Sequence, residues 1–134
     1  MGWPPKLLPD QSAAERVFGL FIGPVLLGAI CGWLLGVTEI GYTALTVLSI
    51  LGGLGAGYEH ATPRSGALRG LWGGTLFALT ICEVHRLIDT DSLATTPKPI
   101  EIIVPIFAIF GSLLGAIGAR SRRKREGASP ATAD

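Results

Sequence analysis

Residues 66–91 read GALRGLWGGTLFALTICEVHRLIDTD, and this stretch combines an apolar span, a ladder of small residues and a cluster of ionisable groups. Gly66, Gly70, Gly74, Ala78 and Cys82 recur at every fourth position. That spacing sets them along one ridge of an α-helix and lets a second helix come very close. Just past the ridge stand Glu83, His85, Arg86, Asp89 and Asp91, where a membrane span should be leaving the hydrocarbon. The stretch therefore predicts a membrane helix with a candidate site at its far end.

The rest of the chain agrees with that class. Of 134 residues, 49% are apolar and only 16% charged, and the apolar residues fall into blocks rather than the scattered pattern of a soluble core. A net charge of +1 gives no overall bias toward nucleic acid or acidic partners. Cys31 and Cys82 lack the paired spacing of a metal knuckle or redox dithiol and read as small apolar core residues.

Working outward, residues 1–16 form a polar arm in which prolines disfavour helix. Ser12 and Glu15 fit a capping box at the first helix start. Four spans follow, at about 17–37, 40–58, 67–88 and 100–119, each near the roughly 20 residues that cross a bilayer. Residues 17–37 are too long for a signal-peptide core and no small-residue cleavage site follows. Pro24 predicts a kink in the first span. Further small-residue ridges lie at Gly28, Gly32 and Gly36, and at Gly111 and Gly115. The tail, 120–134, is first basic and then of a composition that cannot bury a core.

The expected fold is thus an all-α membrane protein, four transmembrane helices in a small glycine-rich bundle. Gly19-Leu20-Phe21-Ile22-Gly23 and Gly70-Leu71-Trp72-Gly73-Gly74 stand 51 positions apart, as do Ile30-Cys31 and Ile81-Cys82, so the two helical hairpins read as parallel repeats. That alignment puts Cys31 and Cys82 at one depth. Nine Lys and Arg residues lie on the side of the termini and two, Arg86 and Lys98, on the other, which predicts cytoplasmic termini. The basic run 120–125 reads as a stop-transfer signal rather than an anionic-lipid or nucleic-acid patch.

For function, Cys82, His85, Arg86 and Asp89 share a helical face. Glu83, His85 and Asp89 are the candidate ion or proton site, with Arg86, Glu39 and Glu101 as supporting charges, because ionisable groups near the slab are costly and mark function. The ordinary alternative is an interfacial Glu83–Arg86 pair. Glu59 and His60 form a second, smaller candidate near Arg64 and Arg69, read as a salt-bridged turn. No nucleophile elbow, Walker loop or zinc motif occurs, so no enzyme activity, metal or cofactor is expected. Two functions stand: an oligomeric permeation or exchange path for a small ion or solute, or a structural subunit whose glycine ridges dock against another membrane subunit.

Overall fold

The computed structural model describes residues 6–128. The expectations for Trp3, Pro4 and Pro5 and for the last six residues lie outside them. Helix α1 spans Ala13–Leu35, α2 Glu39–Tyr58 and α3 Pro63–Ile88. A single 3-10 turn, Ile100–Ile102, leads into α4, Ile103–Ala128. No strand occurs among the described residues.

Local chemistry sets these ends. The Ser12 hydroxyl accepts from the Glu15 amide while the Ser12 amide donates to the Glu15 carboxylate, so both halves of the capping box form. Thr38 caps α2 and Thr62 caps α3 in the same way, by accepting from Gly41 and Ser65 amides. Within α1 the residues Phe18–Ile22 form a π-helical turn just before Gly23 and Pro24. Proline has no N–H and its ring crowds the carbonyl four residues back, and a widened turn relieves both. Asp89 ends α3 in a left-handed conformation at φ 52, which a short polar side chain tolerates better than most.

The four helices pack as an antiparallel bundle whose largest interface is α3 on α4. Along that interface Gly66 faces Gly115, Gly70 faces Gly111 and Gly74 faces the Phe107 carbonyl. A Cβ built on any of these three glycines would overlap backbone of the opposite helix, so the two axes approach as only glycine permits. Helix α1 runs parallel to α3, with Gly28 on Phe77 and Thr80, Gly32 on Ile81 and Val84, and Gly36 on Thr90. Helix α2 leans instead on α4, through Gly57 against Gly115 and Leu54 against Gly118. Cys31, Leu35, Phe77, Ala78, Ile81 and Cys82 form one core cluster, and both cysteines are free thiols within it.

The two hairpins are therefore not packed alike. The α3–α4 pair is closed along its length. The α1–α2 pair is closed only near its turn, where Cys31 meets Thr46 and Leu34 lies beside Gly41. Toward the other end α1 follows α3 and α2 follows α4, so they part.

Three of the helices, α1, α2 and the segment Ile100–Gly127, are long and apolar enough to cross a membrane. Their outer faces leave large apolar side chains such as Phe18, Leu26, Leu48, Leu51, Ile109 and Leu113 about half exposed, a surface that water-soluble monomers rarely carry. Helix α3 has the length, at 26 residues, but Arg69, its glycines and the charges near its end lower its apolarity below that of the other three. The basic run stays helical, and α4 continues to Ala128. Arg122 accounts for this, pairing with Glu126 one turn on and with the Tyr58 carbonyl of α2.

Candidate functional site

The end of α3 is where the charges cluster in sequence, and there the side chains spread rather than converge. Glu83 is well exposed and lies 3.6 Å from Arg86, which also reaches Glu101 at 3.3 Å. An exposed arginine shared between two exposed carboxylates is worth little, about 0–1 kcal/mol for each pair. Asp89 is exposed and its backbone ends the helix, and Glu39 is exposed in the first turn of α2. His85 turns away from Glu83 toward the recess beneath the loop of residues 90–98, and its Nδ1 is enclosed without a hydrogen-bond partner among the described residues. No group of three metal-ligating side chains forms among the described residues.

A second concave feature lies at the opposite end of the bundle. Where α1 and α2 part, they leave a cleft of about 400 Å³, within the range of small-molecule sites. Its sides are Gly19, Gly23, Pro24 and Leu27 of α1 and Ser49, Gly52, Gly53 and Ala56 of α2. Its floor is Arg69, Gly73 and Phe77 of α3 with Phe107, Phe110 and Leu114 of α4. Space is left because the walls are glycine: a Cβ at Gly52 or Gly55 would meet nothing within 4 Å.

Arg69 is the charge in this cleft, and it is only 9% exposed. Its Nη2 donates to the Gly19 carbonyl across the α1–α3 interface. Glu59 borders the same space from the end of α2. Sequence reading counted Arg69 as one more basic residue on the terminal side. The available signal was its place as the third residue of the predicted span 67–88, where an ionisable side chain is costly.

His60 closes this end of the bundle. It is buried in the turn between α2 and α3 and its Nδ1 lies 3.1 Å from the Ala56 carbonyl. Burial holds its pKa below the ordinary value of 6.5, and the Arg69 charge adds to that, against the raising influence of the Ala56 carbonyl and Glu59. The fold thus favours neutral His60. Its contribution to stability is complete above about pH 6.5 and is lost as pH falls through the lower folded-state pKa. In neutral detergent the melting temperature should drop on acidification from about pH 7.5 to pH 5, and His60→Gln should shrink that drop. Identical acid limbs for the two proteins would exclude His60 as its source.

The chain matches no protein-family model, and neither the curated proteins nor the solved structures contain a match to it.

Proposed function

We propose that the protein is a four-span integral membrane protein with both termini cytoplasmic, and that the cleft between α1 and α2 is the binding station of an exchange path for a small solute. The observation that carries this reading is a ligand-sized space, walled by glycine and apolar side chains, with one buried arginine inside a bundle whose outer faces are apolar. A buried ionisable group in such a segment is costly and is the usual mark of a functional position. Helix α3 is taken as the fourth span because it packs along α4 from Gly66 to Gly74 and along α1 from Gly28 to Gly36. A helix sandwiched between two spans crosses with them.

The cluster after Glu83 is the mouth of this path rather than its station, because its side chains are exposed and Glu83 and Glu101 already share Arg86. The second reading, an assembly subunit, is favoured by one feature: Gly52 and Gly55 present open, small-residue surface on α2, which another helix could cover.

One set of proteoliposome measurements tests both. With the native cysteines removed, an impermeant thiol reagent outside cells should label a cysteine at Ser92 and spare one at Gly127. Reconstituted protein should move at least one of protons, sodium, potassium, chloride or fluorescent lipid, Gly73→Leu should stop it, and Glu83→Gln should leave it nearly intact. Labelling of the Gly127 position alone would overturn the topology. Absence of every flux, together with a stable complex that resists mild detergent, would favour the assembly subunit.

A further inference from the structure

Arg69 carries more hydrogen-bonding capacity than the protein uses. A guanidinium has five N–H donors, of which Nη2 serves the neutral Gly19 carbonyl. None of the salt bridges among the described residues includes Arg69. Glu59 acts on it only at longer range. Nη1 lies beside Gly73, near enough that a Cβ there would come within 2.8 Å of it, so this glycine keeps the approach from the cleft to the guanidinium clear. A buried cation without a close counter-ion is unfavourable unless an anion joins it.

Away from Arg69 the cleft is lined by Pro24, Leu27, Phe77, Phe107, Phe110 and Leu114. The site is therefore two-part, a polar end where Arg69 is buried and the Glu59 carboxylate stands at the border, and an apolar length. A small inorganic anion would satisfy the arginine and leave the apolar walls uncovered. A helix from another subunit would cover the walls, but its backbone carbonyls are already hydrogen-bonded within it and bring no negative charge. An acidic group on a hydrocarbon chain satisfies both parts. Arg69 also stands six residues into α3, about 9 Å from its start, on the end of the bundle rich in lysine and arginine, where anionic headgroups gather.

Building on the cleft reading above, we propose that this space binds an anionic membrane lipid, its headgroup phosphate on Arg69 and one chain along Leu27, Phe77 and Phe107.

The test uses the full chain in neutral detergent and follows binding by native mass spectrometry and by the shift in melting temperature. The probes are phosphatidylglycerol, phosphatidylcholine with the same chains, and glycerol phosphate, which keeps the headgroup and lacks the chains. Phosphatidylglycerol should bind at least tenfold more tightly than the other two. Arg69→Gln should remove that preference and Arg69→Lys should retain most of it. Gly73→Leu supplies a second route should Arg69→Gln fold poorly. It leaves the charge in place and fills the cleft beside a flexible side-chain end, and it too should weaken binding at least tenfold. Equal binding of the two lipids, equal binding of glycerol phosphate, or unchanged binding in Gly73→Leu would each overturn the proposal. The cleft reading is judged separately: if Gly73→Leu stops an ion flux while phosphatidylglycerol shows no preference, the lipid is wrong and the path stands. Preferential binding without any flux keeps the lipid site and removes the path.

Discussion

Gly70→Ala should destabilise the protein severely, whereas the same substitution at Gly52 should stabilise it. A Cβ at Gly70 would fall on the Gly111 carbonyl oxygen, and the next nearest atoms are also backbone of α4. Backbone in the middle of a helix cannot step aside as a side chain can, so α3 and α4 must separate along the interface that holds the bundle together. Overpacking a tight core costs about 1–3 kcal/mol and sometimes more, and the contact here repeats at Gly66 and Gly74, so a displaced axis also loosens its neighbours. At Gly52 a Cβ meets nothing within 4 Å, and replacing a mid-helix glycine by alanine gains about 0.5–1 kcal/mol in helix propensity. Melting curves of the two variants in one detergent should therefore move in opposite directions. Equal shifts would mean that α3 and α4 do not touch at Gly70.

Arg122→Ala is expected to have the next largest effect, and one that its neighbours in the basic run do not share. Arg122 is 7% exposed. Its Nη1 donates to the Tyr58 carbonyl at 3.0 Å and its Nε to the Glu126 carboxylate at 2.6 Å. Tyr58 is the last residue of α2, so its carbonyl is one of the four that a helix end leaves without an internal partner. Arg122 thus ties the end of α2 to α4. Hydrogen bonds to charged groups contribute about 1.5–3 kcal/mol, and removing the arginine forfeits them. Arg120 and Arg123 are exposed, and truncating either should change stability by no more than about 0.5 kcal/mol. A scan in which all three alanine variants melt together would refute the tie. Arg122→Lys should fall between, since a lysine keeps the charge but not the two-sided fork.

The same contrast describes how much of the fold was legible beforehand. Helix positions and the capping box at Ser12 follow from local pattern, since a run without charges and a serine three residues before a glutamate act over one turn of chain. The turn at Pro24 was legible as a disturbance, but its form, a π-helical turn, depends on how the carbonyls before the proline rearrange. The basic run was legible as charge but not as a continuation of α4, because the partner that holds Arg122, the Tyr58 carbonyl, is 64 residues away in the chain.

The candidate site was less legible still. Glu83, His85 and Asp89 are near one another in sequence, but Glu83 is turned outward to Arg86 and His85 toward the loop, so proximity along the helix did not become a shared cavity. Arg69 looked like an ordinary orientation charge. It becomes the charge of the cleft because Gly19, Gly23, Gly52 and Gly53, from two other helices, leave room beside it. By itself the sequence determined what short-range chemistry determines: helical segments of near-bilayer length, their caps, and glycines spaced to one side of each helix. Only the tertiary structure decided which glycines are consumed in contact and which stand open, because that depends on the path each helix axis takes past the others. Gly70 and Gly52 both sit inside long helices, and only the passage of α4 past the first, and of nothing past the second, makes one a contact and the other a cleft wall.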